Sequence, residues 1–227
     1  MTAAGELLAA RTASHTAVVA VVLRSARWPY SCGLAHFARQ QAQEWAAAGA
    51  EVLVGVDEPP QRLQRMAAAW GLSARLLPAA LVERLARELD LWDGPTGRAD
   101  DGIGLLAPDG AWIARWDLTD PFGEPDPATV LSALPHLGLP PAPPPPAAPV
   151  AAPAAGIPDR GVCDPAAAAQ ALRRARASAV RTTPLMDTPS AAARTERAVR
   201  LLGHYLDALD PRASDTRTPD PTGKVRH

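Results

Sequence analysis

Two short apolar runs, "AVVAVVL" at 17–23 and "EVLVGV" at 51–56, constrain this chain more than any other feature in it. Both are rich in β-branched valine, which packs well on a pleated surface and loses rotamer freedom in a helix. Neither alternates apolar with polar residues, so each reads as a strand buried on both faces. The segment between them, "CGLAHFARQQAQEWAAAGA", has helical composition. Leu34, Phe37, Ala38, Gln41 and Trp45 lie near one stripe, and Gly49 stands at the stop. Strand, helix, strand in this order predicts two parallel strands joined by a right-handed crossover.

The following segments extend that pattern. "QRLQRMAAAWGL" and "ALVERLARELDLW" read as helices, and "GIGLLAPDGAWIARW" reads as two strands around a Pro-Asp-Gly turn. In that turn proline sets φ and glycine permits a positive one. Trp112 and Trp116 alternate with Ile113 and Arg115, as packing residues of a strand should. A last helix fits "DPATVLSALPHL". The hairpin has to enter antiparallel, so the fold class is α/β with a mixed sheet and helices on both faces.

Composition divides the chain into an α/β domain over 1–137, a Pro/Ala-rich linker over 138–160, a helical C-terminal segment over 161–209 and a disordered tail over 210–227. The stretch "LPPAPPPPAAPVAAPAAGIP" lacks the donors that helix and sheet need and reads as an extended, polyproline-like spacer. At about 3.1 Å per residue it would reach roughly 60 Å. After it, Asp164 is the expected N-cap of a helix with Pro165 at its first position. A second helix covers "SAAARTERAVRLLGHYLDAL", with Val199, Leu202, Leu206 and Leu209 along one face. Two helices are a thin core by themselves; they would dock on the first domain, pair with another copy in a homodimer, or order on a partner.

The net charge of −1 gives no global field for nucleic acid or an acidic membrane surface. The arginines of the C-terminal helices read as a solvated face, without the interleaved aromatics that base stacking would need. No apolar run is long enough to span a bilayer, so the expected location is the cytoplasm and no membrane partner is expected. The only two cysteines, Cys32 and Cys163, form no metal-binding pattern and no disulfide framework. No Gly-rich nucleotide motif follows a strand, so neither a cofactor nor a metal is expected.

Chemistry concentrates in "WPYSCGLAH", where Cys32 stands at the head of the first long helix. A helix N-terminus carries roughly half a positive charge and unpaired N–H donors, and both favour the nucleophilic thiolate. His36, one turn further on, could share a helix side with the thiol. Trp28 and Tyr30 either wall a pocket over Cys32 or cover the sheet end.

The order of these elements resembles the thioredoxin fold, and the details resemble its peroxiredoxin branch over roughly residues 15–137. "GAEVLVGVDEPPQRLQRMAAAWGL" is similar to the alkyl hydroperoxide reductase and thiol-specific antioxidant segment in which a strand ends in Val-Asp before a helix. "GIGLLAPDGAWIARW" is similar to that family's strand, Asp-Gly turn and return strand. The resemblance implies a thioredoxin-like mixed sheet and an oxidoreductase with antioxidant activity, whose single nucleophile, Cys32, reduces a small peroxide and is regenerated by an external thiol. It implies Ser31 and Tyr30 as hydrogen-bond donors, Arg98 as an anion stabiliser and Cys163 as a resolving thiol. The sequence departs from the family pattern in three ways. Pro29 and Ser25 stand where the family has a hydroxyl residue and a proline, Asp101 stands where it has an arginine, and Pro29 replaces the first cysteine of a Trp-Cys-x-x-Cys motif. An acidic residue beside Cys32 would raise its pKa. The alternative is a catalytically degenerate module that acts through its linker and helical tail.

Overall fold

Strand β1 (Ala17–Leu23) is buried along its whole length and forms the centre of a five-stranded sheet. The computed structural model describes residues 15–72, 74–117, 132–147, 161–186 and 188–210. β1 pairs in parallel with β2 (Ala50–Val56), in register from Ala17 opposite Ala50 to Leu23 opposite Val56. Helix α1 (Pro29–Ala47) makes the crossover between them, and Gly49 closes it with a φ of 91° that a side chain would strain. After α2 (Pro60–Trp70), the two-residue β3 (Arg75–Leu76) adds a parallel edge to β2.

On the other side of β1 the direction reverses. Helix α3 (Ala79–Glu88) leads through a small antiparallel ribbon of β4 (Trp92–Asp93) and β5 (Arg98–Ala99) into β6 (Gly102–Leu106). β6 runs antiparallel to β1, and β7 (Trp112–Asp117) pairs antiparallel with β6 through the Pro-Asp-Gly turn, where Gly110 has a φ of 83°. The order β3-β2-β1-β6-β7 is the thioredoxin-like arrangement that the resemblance implies.

Alternation along β1 separates two cores. Val19, Val21 and Leu23 face α1 and α2, with Trp45, Met66 and Trp70. Val18, Ala20 and Val22 face α3, with Val82 and Leu85. The sheet is therefore covered on both faces, as its unbroken apolar strands require.

The C-terminal helices α4 (Pro165–Thr182) and α5 (Pro189–Leu209) dock as a hairpin on the outer side of α1. The Asp164 carboxylate caps α4 by accepting from Ala167 N–H at 3.1 Å, and Thr188 caps α5 by accepting from Ala191 N–H at 3.2 Å. Leu172, Leu202 and Tyr205 join the core that α1 shares with the sheet. Contact is close enough that a Cβ on Gly33 would lie 2.9 Å from the Tyr205 side chain. The buried stripe of α5 is Ala198, Leu201, Leu202, Tyr205 and Leu209. Of the face expected from spacing, Leu202 and Leu209 are buried, while Val199 and Leu206 are only partly so, because the stripe is centred on Tyr205. α1 is buried continuously from Ser31 to Ala38, because sheet and hairpin cover it from opposite sides.

The first part of the proline-rich stretch has no regular structure, yet it stays on the domain. Ala142 N–H donates to Ala46 O at 2.8 Å, and the Leu139 side chain fills the space a Cβ on Gly49 would need. The rest of the linker, the first half of the helix expected over 126–137 and the tail after residue 210 lie outside the described residues; residues 132–133 are helical and Leu134–Leu137 is a 3₁₀ turn.

Candidate active site

The loop after β1 leads directly into α1, and its two sides differ chemically. Pro29 opens the helix after Trp28, and Cys32 N–H already donates to Trp28 O at 3.0 Å, so it is spent inside the first turn. Ser31 and Cys32 then point their side chains to different surroundings.

Ser31 faces the polar end of the sheet. Its Oγ donates to Asp101 Oδ1 at 2.6 Å and accepts from Ser25 N–H at 3.3 Å, while Arg24 N–H donates to the same Asp101 oxygen at 2.8 Å. Burial pushes the Asp101 carboxyl up to about 6, against the two hydrogen bonds that favour its charged form. The carboxylate thus ties the β1 loop to the start of β6. Next to it, Glu58 accepts from Ser25 Oγ and Ala26 N–H and pairs with Arg62, and Arg24 pairs with Asp100 at 2.7 Å. Arg98 is exposed and lines a surface pocket of about 150 Å³ with Arg24, Arg27 and Arg62. Trp28 and Tyr30 stack at 5.7 Å, and Trp28 is 42% exposed. Burial also raises the Tyr30 phenol.

Cys32 faces the core and is fully buried. Cys163 lies beside its thiol, and this contact, together with burial, holds Cys32 well above an ordinary thiol pKa, while the Cys163 thiol itself donates to Asp164 O at 3.7 Å. The same contact pulls Cys163 below its ordinary value, while partial burial and the Asp164 carboxylate push the other way. Both cysteines are free thiols. Cys163 is fixed from both sides of its backbone. Its N–H donates to Ala26 O at 2.7 Å and its carbonyl accepts from Trp70 Nε1 at 2.8 Å. It lies immediately before the N-cap of α4, where the helix dipole adds to thiolate stability. The charged groups acting on Cys32 are Cys163 and then Asp164, not Asp101 or an arginine.

The structure therefore brings Cys32 and Cys163 together, sets Ser31 on Asp101, and leaves Arg98 at the surface. His36 is buried at 7% exposure, with neither ring nitrogen hydrogen-bonded; burial, helped by the nearby Arg39, lowers it to about 4. Trp70 and Ala26, which seat Cys163, carry no sequence signal beyond ordinary helix and loop residues. The Cys-Asp-Pro order marks Cys163 as adjacent to a helix start, the one clue to its chemistry. No group among the described residues has the ligands to hold a metal ion, and none of their helices is long and apolar enough to cross a membrane.

No protein-family model and no curated protein matches the chain. Solved structures similar to it include the bacterioferritin comigratory protein of Xanthomonas campestris, described for its alkyl peroxide reduction activity. It is 18% identical, with 57% of this chain and 80% of that one covered and a TM-score of 0.44. A PrxQ mutant of Xylella fastidiosa is 14% identical over 58% of this chain and 80% of its own, at a TM-score of 0.46. Mycobacterium tuberculosis AhpC is 15% identical over 55% and 70%, at 0.45. The fold is a thioredoxin-like α/β sheet with a docked helical hairpin. A 2-Cys peroxiredoxin of Plasmodium vivax is also among the similar structures, 10% identical over 55% of this chain and 67% of its own, at a TM-score of 0.44.

Proposed function

We propose that the protein is a thiol oxidoreductase in which Cys32 and Cys163 work as a pair, reducing a small peroxide with electrons from an external thiol. The observation that carries this reading is the placement of two free thiols side by side, the buried Cys32 against the partly exposed Cys163. It favours a division of labour that differs from a single nucleophile at Cys32. Cys163 is partly exposed and its pKa is lowered, so it is the thiolate that meets the oxidant. Cys32 is the buried thiol that resolves the product.

The steps balance. Cys163 thiolate attacks a peroxide oxygen, the O–O bond breaks, and the leaving oxygen takes a proton to become water or an alcohol, with Cys163 left as a sulfenic acid. Cys32 sulfur then attacks Cys163 sulfur, the hydroxyl departs with the Cys32 proton as water, and a disulfide remains. Two equivalents of external thiol return both cysteines to thiols and leave as their own disulfide. The peroxide as oxidant rests on the resemblance of the Val-Asp strand and the Asp-Gly hairpin. Free thiols arranged in this way suit a reducing compartment such as the cytoplasm.

A second reading has its own supporting observation. The Ser31 hydroxyl is committed to Asp101, which favours a module that has lost peroxidase chemistry and retains the fold for binding. One experiment separates the two. The full chain is treated with hydrogen peroxide, blocked with iodoacetamide and mapped by mass spectrometry. A Cys32–Cys163 crosslink, lost in both Cys32→Ser and Cys163→Ser, is the expected result. Two thiols that remain alkylatable at the rate of free cysteine would leave only the binding module.

A further inference from the structure

Just beyond the carboxyl ends of the parallel strands β1 and β2 lies the pocket of about 150 Å³ that four arginines line. In open α/β sheets the crevice at that end of the strands is where ligands bind. Separate pieces of chain build it. Arg24 and Arg27 follow β1, Asp57 and Glu58 follow β2, Arg62 lies in the first turn of α2, and Arg98 opens β5.

Two of the arginines are held by the protein itself. Arg24 pairs with Asp100 at 2.7 Å and lies over the Trp28 ring, 5.5 Å from its centroid. Arg62 pairs with one Glu58 oxygen, and the other accepts from Ser25 Oγ and Ala26 N–H. Glu58 is therefore committed on both oxygens. The side chains of Arg27 and Arg98 make no hydrogen bond or ion pair among the described residues, and neither does the Asp57 carboxylate. Four guanidiniums around so small a space repel one another, and an anion between them offsets that repulsion. The volume suits a compact ion rather than a drug-sized molecule.

The uncommitted groups narrow the choice of ion. A guanidinium only donates hydrogen bonds, and an ionised carboxylate only accepts them. A ligand that satisfies Arg27, Arg98 and Asp57 together carries several acceptor oxygens and one O–H. Hydrogen phosphate has both. Sulfate has the oxygens alone, and so does the dianion of a phosphate monoester. We propose that this pocket is a site for inorganic phosphate, with its charged oxygens toward Arg27 and Arg98 and its hydroxyl donating to Asp57. The site is independent of peroxide chemistry and needs neither cysteine. It nevertheless shares a loop with one of them, because Ala26 gives its N–H to Glu58 and accepts from Cys163 N–H at 2.7 Å.

Calorimetry on the reduced full chain tests the assignment, with inorganic phosphate, sulfate and methyl phosphate compared at fixed ionic strength. At about pH 8 all three are tetrahedral dianions, and only the first keeps a proton. Phosphate should bind saturably, one per chain, with a Kd of about 1 mM or below, the scale of two charge-assisted hydrogen bonds. It should exceed each of the other two by about tenfold, the worth of one further such bond. Arg98→Ala should weaken phosphate by about tenfold without moving the melting temperature, since the side chain it removes touches no partner. Asp57→Asn should bring the three anions to similar affinities, because asparagine no longer repels the two that lack a proton. Absence of saturable phosphate binding overturns the proposal. Equal binding of the three anions by the parent, or a preference that survives Asp57→Asn, also overturns it. Binding unmoved by both Arg98→Ala and Arg27→Ala would place the ion elsewhere and overturn it equally.

Discussion

Helices α1 and α4 begin alike and do opposite things to a cysteine. Each has proline at its first position and a cysteine within three residues of it, Cys32 inside the first turn of α1 and Cys163 just ahead of α4. Each offers the same partial positive charge to a thiolate. Yet Cys32 is held as a thiol and Cys163 is moved toward the thiolate. The helix start is common to both, so it does not decide the chemistry. Depth does, along with the contact between the two sulfurs.

The strongest way to break this comparison is to separate the thiols. With Cys32→Ala, Cys163 should still react with iodoacetamide, at a pKa raised toward an ordinary thiol because the neighbouring sulfur is gone. With Cys163→Ala, Cys32 should react about a hundredfold more slowly or not at all, since only the exposed thiolate is a nucleophile. Equal labelling rates would refute the assignment of roles.

Asp101→Asn sharpens the contrast between the two sides of the α1 start. Asp101 has a folded pKa of about 6 against an ordinary value of 3.8. The folded state therefore holds this proton more tightly than the unfolded one. Its contribution to stability is present at low pH and is lost as pH rises from about 4 through 6. Asparagine mimics the protonated form and accepts from Ser31 and Arg24 as before. Urea unfolding should find the variant more stable than the parent by about 3 kcal/mol at pH 8, with the gap closing toward pH 4. Cys32 labelling should not change, because Asp101 acts on Ser31; a change would tie the two sides together.

Gly33→Ala tests the contact between α1 and the C-terminal hairpin. The new methyl meets Tyr205 at 2.9 Å, so the hairpin has to shift, at about 1–3 kcal/mol. In a Cys163→Ala background Cys32 should then become faster to label. Unchanged stability and labelling would mean that burial of Cys32 does not depend on this contact.

The smallest effect belongs to Asp164→Asn. Asparagine caps a helix as well as aspartate, so stability should stay within about 0.5 kcal/mol. Removal of the carboxylate should lower the Cys163 pKa further, measured from the pH dependence of its alkylation. A rise would show that the cap charge does not oppose the thiolate.

These differences also mark what sequence reasoning could reach. The valine runs of β1 and β2, their parallel pairing, the Pro-Asp-Gly hairpin and the Asp164 cap are local patterns, each legible within a few residues. Burial of Cys32 is not local. It depends on Tyr205 and Leu172, which come from helices far along the chain, and α1 reads as a one-stripe helix until the hairpin covers its other side. The partner of Ser31 is equally remote, because Asp101 reaches it through the pairing of β1 with β6. Cys163 is visible as a thiol beside a helix start, but its seat is built from the Ala26 carbonyl and the Trp70 indole, neither of which carries a motif. Of the candidate site, then, Cys32, Ser31 and Cys163 are visible in the sequence, and what each of them touches is not.

Cys32 and Cys163 also bracket the chain. The segment between them contains β2, β3, β6 and β7, every strand of the main sheet except the central β1. A bond between the two sulfurs would close a covalent ring of roughly 130 residues around that segment, and the chain-entropy argument gives a ring of this size about 5 kcal/mol of resistance to unfolding. Melting temperature would then rise and fall with the ambient thiol potential, and the lifetime of the folded chain would record its recent exposure to oxidant.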